Sequence, residues 1–288
     1  MAITATMAAS FGVNAAGSDA DFSQPSFYFK AQENDNYEVL KFGGVFVNRK
    51  IADGASIAAE VYIKDESKVA GQVFVKWGSE NENLKVTNVT GPVAKYGATP
   101  YKAFTSDDDI AIVNLPAING AGLNYSDISS TKPMEYTKDT SDAYPLACFE
   151  AKFAENVPGG TYNIIVFNNN PYFSSVVCRP TGDGKGVEVF AEDSPTLMLN
   201  SSDRMLGDVN DDTRVDAVDV SGIMKAYTNL SSNKESGFTD DQMACADVNG
   251  DGKVDAVDAS NILAYYAYVS SNADADVLSL NNFVKSRK

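Results

Sequence analysis

A chain of 288 residues with a net charge of −16 and no histidine has room for two compact domains. Its acidity argues against nucleic acid, which is bound by displacing counterions from phosphates with Lys and Arg. Without imidazole, Ser-His and Cys-His nucleophile pairs and the usual zinc sites are excluded, so an enzyme built here would depend on carboxylates, Lys or Tyr.

The first residues, "MAITATMAASFGVNAAGSDA", are small and apolar, and Val13-Asn14-Ala15 before Ala16 resembles a signal-peptidase site. Residues 1–24 are read as a signal peptide or a disordered N-terminus, although a signal peptide ordinarily opens on Lys or Arg and this one does not. No apolar run approaches the eighteen or more residues of a membrane span.

Residues 25–200 carry short β-rich runs broken by Gly, Asn, Asp and Pro: "FYFKA", "YEVLKFGGVFV", "ASIAAEVYIK", "AGQVFVKW", "LKVTNV", "YKAFT", "DIAIVNL", "ACFEAKFA", "GGTYNIIVFN", "SVVC" and "GVEVFA". Several alternate apolar and polar at period two, as half-buried antiparallel strands do. That density of strands predicts an all-β sandwich of the jelly-roll kind. From Gly71 to Trp77, alternation puts Val73, Val75 and Trp77 on a core face and Gln72, Phe74 and Lys76 on the other. The run Asp107-Asp108-Asp109 reads as a solvated loop, and "NNNPYF" at Asn168–Phe173 reads as a hairpin turn, with a sugar-stacking platform of Tyr172 and Phe173 as the alternative. Of three cysteines, an odd set, Cys148 and Cys178 could bridge in a secreted protein, but buried thiols are the preferred reading, Cys245 included.

Two stretches, "ASIAAEVYIKDESKVAGQVFVKWGSENENLKVTNV" and "AYPLACFEAKFAENVPGGTYNIIV", are similar to the opening and late segments of the cohesin family, and "AFTSDDDIAIVNL" fits its central strand pair. The resemblance implies a receptor for dockerins. Under it, Phe74 and Asn114 are the candidates for docking an incoming dockerin, although Phe74 could equally pack under a neighbouring loop.

The last third carries a different pattern. "DVNGDGKVDAVD" at 247–258 places side-chain oxygens at positions 1, 3, 5, 9 and 12, namely Asp247, Asn249, Asp251, Asp255 and Asp258. The backbone carbonyl of Lys253 supplies position 7, and Gly252 occupies position 6, where the calcium loop turns sharply. "DVNDDTRVDAVD" at 208–219 repeats the set 39 residues earlier: Asp208, Asn210, Asp212, the Arg214 carbonyl, Asp216 and Asp219. Its position 6 is Thr213, where a left-handed backbone costs on the order of 1 kcal/mol, so the first calcium site is expected to be the weaker. Each loop leads into an amphipathic pattern, Val220, Ile223, Met224, Tyr227 and then Ala259, Ile262, Leu263, Tyr266. Thr239 can cap a short helix before the second loop only. Thirteen Asp or Glu stand against five Lys or Arg between Asp203 and Asp258, so calcium binding would be folding free energy and the calcium-free module largely disordered.

Paired loops with exiting helices over about 205–271 resemble the dockerin module of cellulosomes, a plug folded by two Ca2+ ions that binds a cohesin on another protein. That resemblance assigns partner contact to loop positions 10 and 11, Ala217 and Val218 in one copy and Ala256 and Val257 in the other, together with Lys225 and Ala264 further along. Identical Ala-Val pairs permit two binding orientations. Met224 and Leu263 are preferred as core residues facing each other. The domain reading is therefore a sandwich at 25–200, a linker at 201–206, the dockerin at 207–271 and a C-terminal tail at 272–288. It implies a secreted, non-catalytic adaptor with a cohesin as one partner and enzyme-borne dockerins as the other. The alternative is a carbohydrate-binding module or small carboxylate glycosidase carried on a dockerin, and a third option is a β-domain that only stabilises the dockerin.

Overall fold

A computed structural model describes residues 23–48, 56–67, 71–126, 134–168, 175–180, 186–191, 195–272 and 277–287. The N-terminal segment through residue 22 and the Tyr172–Phe173 pair lie outside the described residues.

Among the described residues, thirteen strands form two sheets. β1 (Ser26–Ala31), β4 (Ser56–Lys64), β9 (Ala147–Phe153) and β6 (Leu84–Thr90) make a four-stranded antiparallel sheet in the order β1-β4-β9-β6. The second sheet centres on β5 (Gln72–Gly78). One edge of β5 pairs with β8 (Gly120–Ser126), which carries β7 (Ala111–Leu115). The other edge meets β11 (Val176–Pro180), bordered by β12 (Gly186–Phe190), and the end of β10 (Gly160–Val166). Beyond β10 lie β13 (Thr196–Ser202), β3 (Val45–Asn48) and β2 (Glu38–Val39), and the β13–β3 pair is parallel.

Alternation builds the core as expected from a half-buried sheet. Val73, Val75 and Trp77 of β5 are sealed from solvent, and the Trp77 ring sits 5.7 Å from Phe149. Not every apolar run became a strand. "YKAFT" contributes only a bridge from Tyr101 to Tyr136, because Tyr101 and Phe104 plug the core beside Tyr125. The strands β8 and β13 come from "GAGLNYS" and "TLMLNSS", which the period-two reading passed over. A short helix, α1 (Val93–Tyr96), completes the domain.

The C-terminal domain holds α2 (Ala217–Ser231), α3 (Asp240–Ala246), α4 (Ala256–Ser271) and α5 (Leu280–Ser286). Its core gathers Ile223, Val209, Val248 and Ile262, and it extends into the sandwich through Leu40 and Phe46. Alternation on β3 explains this: Val45 and Val47 enter the sandwich core while Phe46, between them, enters the helical one. Residues 201–206, expected as a linker, instead carry the end of β13 and are tied down. The Asp203 N–H donates to Asp241 Oδ1 at 3.1 Å, and Arg204 Nε stands 3.3 Å from Asp241 Oδ2. The expected tail at 272–288 contains α5, whose Leu280 and Val284 are core residues and whose Phe283 stacks on Tyr268 at 5.0 Å. Asn281 Nδ2 reaches across to the Val39 carbonyl at 3.2 Å, and Lys285 pairs with Glu33 at 2.8 Å.

Candidate calcium loops and docking faces

Both duplicated loops adopt the same hydrogen-bonded frame. At position 1, Asp208 accepts N–H groups from Asp212 and Thr213, and Asp247 accepts from Gly250, Asp251 and Gly252 at 2.9–3.1 Å. At position 12, Asp219 accepts from Val209, Asn210 and Asp216, and Asp258 from Val248, Asn249 and Asp255. Asn210 and Asn249 accept from the N–H two residues on. Positions 9 and 12 have a second task that the ligand spacing alone does not announce. Asp216 and Asp255 are the N-caps of α2 and α4, each forming a capping box with the Asp three residues later, so the loop's last oxygens also satisfy the helix's first N–H groups.

The electrostatics of this frame suit a hard cation. Asp247, Asp219 and Asp258 are buried. Burial, followed by the charges of Asp247 and Asp251, pushes the Asp258 carboxyl up to about 8; burial likewise raises Asp247 to about 6, and Asp219 rises for the same reason. Among the described residues, no three Asp, Glu or Cys side chains stand as a ready metal cluster. The donor set suggested by the spacing is mixed, with two carboxamide oxygens and two main-chain carbonyls shared over the copies, and oxygen-only mixed sets are what calcium takes. Backbone conformation agrees with the loop pattern: Asp211, Thr213, Gly250 and Gly252 all have φ between 64° and 83°, so Thr213 does hold the left-handed turn foreseen for it.

On the helices, Val218 is 57% and Val257 52% exposed, and Ala217, Ala256 and Lys225 are also exposed, whereas Ala264 is half-buried. Met224 and Leu263, expected to face each other in the core, are instead exposed at 39% and 51%. The buried stripe runs through Ile223 and Ala226 on α2 and through Ala259 and Ile262 on α4, leaving positions 218 and 224 and their equivalents 257 and 263 as matched apolar knobs.

On the sandwich, register separates the two docking candidates. Phe74 lies opposite Asn124 and Val176, on the outward face, with Lys76 Nζ 4.6 Å from its ring. Asn114 lies opposite Ala121, which pairs with core-facing Trp77; it shares its side of β7 with Ile112, which packs on the core. Asn114 is exposed but belongs to the other face. Sequence reasoning missed the row that Phe74 does join: Phe190, Val176, Phe74, Asn124 and Ala111 lie opposite one another across five strands. Alternation within "GVEVF" carried the signal for Phe190, which is an exposed aromatic.

The acidic run is a local cap. Asp107 accepts from the N–H groups of Val93 and Ala94, and Asp109 from those of Thr105 and Ser106. Glu150 accepts from Asn88. The three thiols are free, Cys148 half-buried and Cys178 and Cys245 buried, with burial raising Cys148 and Cys178 to about 11 and Cys245 to about 12.

The duplicated loops and their helices coincide with a known family. Residues 206–265 match the dockerin type I domain. The chain thus joins a β-sandwich to a C-terminal dockerin. No curated protein matches it. Among solved structures it is similar to CaCohA2 from Clostridium acetobutylicum, at 11% identity over 60% of this chain and 90% of that one, with a TM-score of 0.37. It is also similar to the third ScaB cohesin of R. flavefaciens in complex with a group 1 dockerin, at 16% identity over 52% and 87% with a TM-score of 0.33. The C-terminal domain of the AgI/II polypeptide BspA of Streptococcus agalactiae is similar at 9% identity over 61% of this chain and 50% of that one, with a TM-score of 0.32. No helix among the described residues is long and apolar enough to cross a membrane.

Proposed function

We propose that this chain is a non-catalytic cellulosomal adaptor, secreted and held at the cell surface through the assembly, which serves polysaccharide degradation. Its dockerin plugs into a cohesin of a larger scaffold, and its sandwich receives dockerins borne by enzymes. The observation that carries this reading is the dockerin match at 206–265 with both Ala-Val pairs facing solvent on the paired helices.

Two calcium ions hold the plug. One is assigned to Asp208, Asn210, Asp212, the Arg214 carbonyl, Asp216 and Asp219, the other to Asp247, Asn249, Asp251, the Lys253 carbonyl, Asp255 and Asp258. Each would neutralise buried carboxylates that the loop N–H groups hold in place, which is why folding and metal uptake are linked. Ala217, Val218, Ala256 and Val257, with Lys225 and Ala264 at their margin, form the face toward the scaffold; Phe74 and its row form the face toward incoming dockerins. No chemistry is assigned: Asp107 and Asp109 serve as local caps, and Glu150, on the inner strand β9, accepts from Asn88.

The test is calorimetry of the full chain in calcium against a panel of cohesins and a panel of enzyme dockerins. Stoichiometric binding to members of both supports a two-ended connector. Binding to cohesins alone leaves a carbohydrate-binding or structural sandwich on a dockerin, and retention on insoluble cellulose separates those two.

A further inference from the structure

The two calcium loops share a backbone but not a setting. Residues 210–214 of the first are exposed, whereas Asn249 and Gly250, at the equivalent of Asn210 and Asp211, are buried, with Asn249 only 1% exposed. What covers them is the turn between β2 and β3. The Phe42 N–H donates to the Asn249 carbonyl at 3.1 Å, Leu40 packs into the dockerin core, and Gly44 approaches so closely that a Cβ there would meet the Gly250 carbonyl at 3.0 Å.

The glycines of the second loop answer to the same neighbours. Positions 4 and 6 have positive φ in both copies, yet the first copy places Asp211 and Thr213 there, at 64° and 69°. The turn by itself therefore does not require glycine at position 4. A Cβ on Gly250 would lie 2.5 Å from Leu40 Cβ, and one on Gly252 would lie 3.0 Å from Met198 Cε of β13. Gly250 and Gly252 are also the residues whose N–H groups bind the two Asp247 oxygens, at 2.9 and 3.0 Å. The backbone that shapes the second cage is the backbone on which the sandwich rests.

We propose that the second calcium loop is a docking surface for the sandwich, and that closing this loop on calcium and seating it on the 38–46 turn form one coupled event. Calcium loss there releases the turn, and by reciprocity the seated turn tightens calcium binding, which a slower release reads out. The first loop, open to solvent, has no such coupling. This inference rests on the calcium assignment of the proposed function and not on its partners.

The test is Gly250→Asp in the full chain, which gives the second loop the residue that the first already accommodates at that position. Calcium stoichiometry is read by calorimetry, calcium release by a chelator chase, and the seat by amide hydrogen exchange in segment 38–48. The wild type should protect this segment in calcium and lose that protection on chelation. The variant should bind two ions, exchange the segment at least about tenfold faster in calcium, and release one of its two ions about tenfold faster, an ordinary size for linked sites. Leu40→Glu, which leaves the loop sequence intact, should do the same and decides the matter if Gly250→Asp fails to take its second ion. Two bound ions with unchanged exchange and release in both variants overturn the coupling alone. No calcium uptake by the wild type overturns the loop assignment and the coupling with it.

Discussion

Acid should partly replace calcium in folding the dockerin, and Asp258 sets the scale. Burial and its acidic neighbours hold its carboxyl at about 8 against roughly 4 in an unfolded chain. Between those values the folded state binds a proton that the unfolded state does not. Stability without calcium is therefore fully present near pH 4 and is lost as the pH rises through 8. At about 1.4 kcal/mol per pH unit, keeping this one buried carboxylate ionised costs on the order of 5 kcal/mol, as much as the whole stability of a marginal domain. Asp258→Asn removes the charge at nearly constant shape. The carboxamide oxygen still accepts from Val248 and Asn249, while its NH2 faces the Asp255 N–H and forfeits that bond, a loss of about 1 kcal/mol. The assay is thermal unfolding of the full chain, followed by helical circular dichroism from pH 5 to 9, with chelator and with calcium. The calcium-free wild type should weaken across the window, and the variant should flatten only above about pH 7, beyond the Asp247 carboxyl at about 6. Calcium should abolish the slope in the wild type and bind the variant more weakly. Calcium-free wild-type stability that holds level or rises between pH 5 and 8 would refute the reasoning.

Three further outcomes are expected. Val218→Asp and Val257→Asp should each leave cohesin affinity nearly intact if the plug is used in both orientations, while the double change abolishes binding with calcium uptake preserved; one single change sufficing would show a single orientation. Phe74→Asp should eliminate capture of dockerins by the sandwich in calorimetry, whereas Asn114→Ala, on the opposite side of its strand, should leave it unchanged. Asp65→Ala should cost about 3–5 kcal/mol in urea unfolding. It removes the carboxylate whose two oxygens accept from the sealed Arg179 guanidinium at 2.7 and 2.8 Å; a loss below 1 kcal/mol would mean that water reaches the site.

The loops were legible because side-chain oxygens at fixed spacing leave few other uses for Asp, Asn and Gly, and because the spacing occurs twice. Thr239 was legible for the same local reason, and it caps α3 with a capping box to Gln242. What escaped was everything decided by a distant neighbour. Phe46 looked like an ordinary member of an apolar strand, yet β3 is buried on both faces because the helical domain covers the outer one. Met224 and Leu263 followed the i, i+3, i+4 stripe, but only the Ile of each pair points at the partner helix; with so few core positions in a small helix pair, the flank of the stripe faces solvent. Asn114 lies on the other side from the Phe74 row because register, which alternation within one strand does not fix, sets it opposite Ala121. The helix α5 went unread since "LSLNNFVKS" has only one short apolar face, and its worth lies in Tyr265 and Tyr268 across from it.

The one-sided seat of the dockerin has a geometric corollary. The Ala-Val pairs repeat at the same place in each loop-helix unit, but the sandwich rests on the second loop alone. Turning the plug by half a revolution in the same socket would therefore swing the sandwich, and any cargo it carries, to the opposite flank of the scaffold. A flexible tether would blur these placements into a continuum, whereas a seated one would keep them distinct.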